Sequence, residues 1–225
     1  MKTAENKRKY IYSCVALTIV LLLVLSAGAI LAKYVVSSNV AKIDLTIEAG
    51  GFYLMNGPDF NEKLRTLAGS ETDTEVVIGY YDDYSGVIDD WDDESAVNVD
   101  ADEKGRIRMF KKDDTVYVLF KGKDGDKITL NEDSSDMFSC IGSGMEDELQ
   151  LSSITGLNLL DTSRVTDMSA MFKQCGFIND LEGVSEWDTS NVEDMVEMFR
   201  SCSSLTSLDL SGWDVSSVHD MSYMF

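Results

Sequence analysis

Apolar positions in the last third of the chain follow two alternating rhythms. In residues 205–210 (LTSLDL), Leu208 and Leu210 alternate with polar residues, which predicts a short strand with one buried face. The period then lengthens. Val192, Met195, Phe199 and Cys202 recur every three or four residues, the pattern of one helix face. Ser190 stands where an N-cap would, with Glu193 three residues on, and Asp167, Asp194 and Asp220 fall in the first turn of each predicted helix.

Both rhythms repeat. DTSRVTDMSAMF at residues 161–172 returns as DTSNVEDMVEMF at 188–199 and as DVSSVHDMSYMF at 214–225, at intervals of 27 and 26 residues. Gly183 accounts for the extra residue in the longer interval. A strand and a short helix in about 26 residues cannot bury an apolar side alone, so the copies are expected to stack as a solenoid. Stacking predicts columns: Trp187 over Trp213 (with Leu160 in the first unit), Met168/Met195/Met221, Phe172/Phe199/Phe225, and Cys175 over Cys202. A methionine, aromatic and cysteine stripe at this period is core, not a cofactor box. Helix neighbours stand about 8–10 Å apart, beyond the disulfide limit of about 7 Å between Cα atoms, so these cysteines are expected to stay reduced.

The pattern upstream is mainly of strands. Residues 42–48 (KIDLTIE) alternate, 76–81 form a β-branched and aromatic run, and 106–110 and 115–120 flank a four-residue hairpin loop at 111–114. Residues 122–126 make a further turn before the short run 128–130, and 82–103 is an acidic, loop-like stretch. Nearer the N-terminus, Lys7, Arg8 and Lys9 precede an uncharged run over residues 11–32, long enough to cross a bilayer core of about 30 Å. Basic residues before the run place the N-terminus in the cytoplasm and the bulk of the chain outside. The run is either a retained signal anchor or a signal peptide cleaved after Ala29, where Ala27-Gly28-Ala29 supplies the small-residue pattern. The predicted organisation is a cytoplasmic basic tail (1–10), a membrane segment (11–32), an extracellular mainly-β acidic region (33–132), and a cap plus three repeats (133–225).

The repeats resemble those of the BspA-type leucine-rich-repeat surface proteins of bacteria, whose unit runs approximately LxxLDLSxWDTSxVxDMSxMFxxC. The third unit carries Leu205, Leu208, Asp209, Leu210, Ser211, Trp213, Asp214, Ser216, Val218, Asp220, Met221, Ser222, Met224 and Phe225 of that pattern. The second keeps Trp187, Asp188, Thr189, Ser190, Val192, Asp194, Met195, Met198, Phe199 and Cys202. The first unit lacks the Trp, and Val215 replaces Thr in the third. Residues 134–140 look like a degenerate half-unit that caps the repeats. Phe225 ends on a buried stripe, so further repeats are expected to follow. The resemblance implies an α/β, leucine-rich-repeat-like solenoid. It also implies display at the cell surface and attachment to a protein or glycan ligand outside the cell, and it brings no catalytic residues with it.

Charge narrows the function classes. The chain has 19 basic and 40 acidic residues, a formal net charge of −21. Five of the basic residues (Lys2, Lys7, Arg8, Lys9 and Lys33) sit in the first 33, so the remainder is more acidic still. That surface repels phosphate backbones, which argues against nucleic-acid partners. His219 is the one histidine, and no cysteine pair has CxxC spacing, so neither a nucleophile–base pair nor a zinc site is expected. Calcium is tempting at Asn98, Asp100 and Asp102, but Glu103 stands where an EF-hand loop needs Gly and Met109 where it needs Glu. The expectation is therefore a non-enzymatic binding or adhesion protein with no catalytic, metal or cofactor residues. A structural spacer holding a further domain away from the membrane is the alternative. Positions that differ between units (Arg164/Asn191/Ser217, Thr166/Glu193/His219, Ala170/Glu197/Tyr223, Lys173/Arg200) suit a fixed scaffold with a tuned surface, and none of them is singled out as a binding residue.

Overall fold

The computed structural model describes residues 51–69, 73–140 and 149–225. The membrane segment at 11–32, its cleavage point at Ala29 and the predicted strand at 42–48 lie outside them. Among the described residues no helix is long and apolar enough to cross a membrane.

Phe52–Tyr53 (β1) leads into the one α-helix among the described residues, Gly57–Ala68 (α1). The mainly-strand expectation missed α1, although its signals are local. Asn56 caps it, its side-chain oxygen accepting the Asp59 N–H at 2.9 Å, and Pro58 sits in the first turn where no amide partner is needed. Phe60, Leu64 and Ala68 then fall on one buried face, and Gly69 at φ 74° ends the helix.

Thr74–Tyr80 (β2), Val97–Asn98 (β3), Ile107–Lys112 (β4), Thr115–Phe120 (β5) and Leu151–Thr155 (β7) form one mixed sheet, in the order β3-β4-β5-β2-β7. β2 lies parallel between β5 and β7, while β3, β4 and β5 are antiparallel. The β4–β5 ladder runs to Lys112 opposite Thr115, so the turn holds two residues instead of the expected four. Asp113 turns it at φ 53°, which an aspartate tolerates and which suits the twist of a tight hairpin. A second, parallel sheet joins β1, Ile128–Thr129 (β6) and Leu160–Asp161 (β8).

The larger sheet is buried on both faces. Val76, Ile78, Met109, Val116 and Val118 face the main core, which continues without a break through Phe138 and Phe172 to Phe199. On the other face Phe110 and Leu119 pack against Ile88 and Trp91. The stretch 82–103 is therefore not the solvated loop its acidity suggests. It carries the end of a 3-10 turn (Tyr81–Tyr84), β3, and the buried side chains of Ile88, Trp91, Val99 and Asp100. Its aromatic and branched residues anchor it, with Asp82, Asp83, Asp89, Asp90, Asp92 and Asp93 left outside the core and Asp100 alone among its aspartates buried.

The repeats correct the predicted fold class. No strand-plus-helix solenoid forms: after β8 the units contain turns, one 3-10 turn at Val184–Glu186 and single parallel bridges, and no α-helix. Leu208 and Leu210 lie outside any strand. The reason is where the amides point. Met168, Ala170, Phe172 and Gln174 donate their N–H groups to the carbonyls of Asp194, Val196, Met198 and Arg200 in the next unit, at 2.7–3.0 Å. Amides committed between units cannot close bonds to the fourth residue back within a helix. The intervening amides close three-residue turns, as Met171 does to Met168 and Met198 to Met195. Left-handed backbone at Ala170, Glu197 and Tyr223 (φ 54°, 56° and 57°), and again at Gln174 and Ser201, breaks any helical run.

The side-chain columns do form. Phe138, Phe172, Phe199 and Phe225 stack with ring centroids 5.6–5.7 Å apart, and Trp187 lies 6.4 Å from Trp213. Each indole N–H reaches back to the preceding unit, Trp187 to the Leu157 carbonyl at 3.0 Å and Trp213 to that of Val184 at 2.8 Å. α1 closes the column at its upstream end: Phe60 meets Phe138 edge-on at 5.7 Å, and Asn61 Nδ2 donates to the Ser139 carbonyl at 2.9 Å. Gly57 permits that approach, since a Cβ there would stand 2.0 Å from the Ser135 carbonyl oxygen.

Candidate interaction face

Two aspartates per unit shape the exposed edge of the repeats. Asp161, Asp188 and Asp214 accept the backbone N–H two residues on, from Ser163, Ser190 and Ser216, at 2.9–3.1 Å. Asp167, Asp194 and Asp220 do the same for Ser169, Val196 and Ser222 at 2.7–2.8 Å. These are Asx turns, and they replace the helix caps expected from the sequence: Ser190 gives its hydroxyl to Asp188 at 2.6 Å and caps nothing. Between them Thr162 and Thr189 are buried and donate their hydroxyls to the Asp188 and Asp214 carbonyls, both at 3.0 Å. Thr at that position ties one unit to the next, and Val215 makes no such bond.

With the backbone repeated in this way, equivalent positions come into columns. Asn191 Nδ2 donates to the Ser163 carbonyl at 2.8 Å and Ser217 Oγ to that of Ser190 at 2.8 Å, so Arg164, Asn191 and Ser217 follow one another along the edge. Backbone bonds from Glu193 to Thr166 and from His219 to Glu193, both 2.8 Å, set a second column beside it. In the third, Glu197 forms ion pairs with Lys173 and Arg200, and the Arg200 guanidinium lies 5.4 Å from the Tyr223 ring centre. Arg164 approaches Glu132 at 3.4 Å and the Tyr53 ring at 5.9 Å. The positions that differ between units thus fall in register along the ladder, bearing charge at Arg164, Lys173, Glu193, Glu197 and Arg200 and an aromatic ring at Tyr223.

The other residues weighed for chemistry are dispersed. His219 is exposed and joins the ladder only through its backbone amide. Asp100 is turned inward, where its carboxylate accepts the Arg106 and Ile107 amides, and burial raises its pKa against those bonds. Among the described residues no group of three or more His, Cys, Asp or Glu is placed to hold a metal ion. The pair that spacing did not reveal is Cys140 and Cys175, brought together because the half-unit at 134–140 joins the same ladder.

That ladder begins with Asp133 opposite Asp167 and runs through Asp194 to Asp220. Residues 134–225 match the family described as Mycoplasma protein of unknown function, DUF285. The DUF285 match thus starts one residue after the first bridge and covers the cap and all three units. Neither a curated protein nor a solved structure matches the chain.

Hydrogen bonds from Ser190, Ser211, Ser216 and Ser222 hold the carboxyls of Asp188, Asp209, Asp214 and Asp220 below the usual aspartate range. A depressed folded pKa contributes stability above the unfolded value of about 3.9, and that stability is lost as pH falls through the folded value. The thermal midpoint of the DUF285 segment is therefore expected to drop as pH is lowered below about 4. Ser190→Ala should flatten that drop, and a fall of equal steepness in the variant would remove Asp188 from its cause.

Proposed function

We propose that this chain is a cell-surface binding protein, held at the membrane through residues 11–32, whose repeats present the varying columns to an extracellular protein or glycan. The observation that carries the reading is that four sets of positions which differ between units recur in register along a repeated backbone ladder. Arg164, Asn191 and Ser217 differ in size and charge at one register position, as do Glu197 and Tyr223 with Ala170 at another. Beneath them Met168 and Met195, and Phe172 and Phe199, repeat as buried pairs. The resemblance of the units to BspA-type surface proteins supports the same reading, and so does the net charge of −21, which disfavours anionic partners such as nucleic acids. No catalytic step is proposed.

The test uses the full chain in detergent, immobilised and screened against soluble matrix proteins and glycans. A saturable ligand should emerge whose affinity falls at least about tenfold in Arg164→Glu or Tyr223→Ala, the scale of loss expected at an interface hot spot. Tyr223 is 72% exposed, so its truncation should leave the thermal midpoint in place. Absence of any saturable ligand would favour the spacer alternative, in which the repeats only hold another domain away from the membrane.

A further inference from the structure

Cys140 and Cys175 come from different turns of the chain and meet in the core. Cys140 Sγ stands 3.2 Å from Cys175 Sγ, and the Cys175 thiol donates to the Phe138 carbonyl at 3.1 Å. The backbone leading into the contact is held at ladder spacing: Phe138 donates to Met171 and Cys140 to Lys173, each at 2.9 Å. The helix spacing that would keep such cysteines about 8–10 Å apart is absent, because no helix forms here. Strands in a ladder stand about 4.8 Å apart, within the Cα range that disulfides span. Closing from 3.2 Å to a bond of about 2.05 Å asks for little more than 1 Å of movement, shared between two side chains.

We propose that Cys140 and Cys175 form a disulfide that fastens the capping half-unit to the first repeat. The oxidant is a small-molecule disulfide of the glutathione class. One cysteine thiolate attacks it, releases one small thiolate and forms a mixed disulfide. The second cysteine thiolate then attacks the protein-bound sulfur and releases the other. Two protein thiols are oxidised, and one disulfide is reduced to two thiols. Cys202 extends the same column, but its thiol donates to the Phe172 carbonyl at 3.0 Å and it is only half-buried. Burial pushes its pKa up to about 11 and holds that of Cys175 well above the ordinary thiol range. Exchange is slow for such groups in the folded chain, so the bond forms during folding and then resists reductants.

Trypsin leaves each of these cysteines on its own peptide: 128–164 for Cys140, 174–200 for Cys175, 201–225 for Cys202 and 10–33 for Cys14. The full chain is refolded in detergent with reduced and oxidised glutathione, digested without reduction and analysed by mass spectrometry. A linked 128–164/174–200 species is expected. Its reduction should lower the thermal midpoint by about 10 °C, the scale for closing a loop of this length in a domain of this size. Cys140→Ser should abolish both the linked species and the reductant-dependent shift, and Cys202→Ser should abolish neither. Recovery of all four peptides as thiols, or a link from 174–200 to 201–225 or to 10–33 instead, would overturn the proposal.

Discussion

Replacing Phe172 by Ala is expected to cost about 3–5 kcal/mol and to lower the thermal midpoint by about 10–15 °C. Its ring is fully buried at the middle of the aromatic column, 5.6 Å from Phe138 on one side and 5.6 Å from Phe199 on the other, with Trp187 at 6.0 Å. Truncation removes the ring's own burial and both stacking contacts. It also leaves a void that the flanking units cannot close, because their backbones are held apart by the ladder bonds from Phe172 to Met198 and from Phe138 to Met171. Since domains are stable by only about 5–15 kcal/mol, this single change should take a large share of the total. Phe172→Leu restores much of the volume and should recover about half of the loss. Equilibrium denaturation of the three proteins measures this. A loss under about 1 kcal/mol in the Ala variant would mean that the units do not depend on the column.

Gly156→Ala is expected to cost about 3–5 kcal/mol, although it adds one methyl group. Two penalties combine. Gly156 sits at φ 82°, where a side chain costs about 1 kcal/mol. The added Cβ would also stand 2.1 Å from the carbonyl oxygen of Ile78, in the middle of β2. That strand is paired on both sides and cannot retreat without breaking its ladder to β5 or β7. The informative control is Gly125→Ala, at φ 90° but with open space around it, which should pay the conformational cost alone. Equal losses at the two positions would show that the close approach to Ile78 does not matter.

Strands β2, β4 and β5 were visible from branched and aromatic runs, within one or two residues at their ends. Their order was not, because parallel pairing of β2 with both β5 and β7 leaves no local mark. α1 is legible in Asn56, Pro58 and the Phe60/Leu64/Ala68 spacing, but it stands alone among strand signals. The repeat period and its columns could be read directly, whereas the secondary structure within a unit could not. Buried positions every three or four residues describe a helix, and they describe equally well a chain of three-residue turns with every other amide given to the next unit. The positions that decide between them, Ala170, Glu197 and Tyr223, take left-handed backbone with no glycine or asparagine to announce it. The cysteine pair is not legible either: the repeat places Cys175 over Cys202, and only the ladder brings Cys140 of the cap against Cys175. The varying positions can be named from the alignment of units, but the bonds that hold each set in register come only from the ladder.

Protease shaving of intact cells decides whether the repeats are displayed at the surface. Cells that carry the full chain are treated with trypsin, the released peptides are identified, and the membrane fraction is probed for what remains. Peptides of the DUF285 segment, such as 201–225, should be released, with an N-terminal stub containing residues 11–32 left in the membrane. Repeats fully protected in intact cells, and cut only after lysis, would contradict surface display.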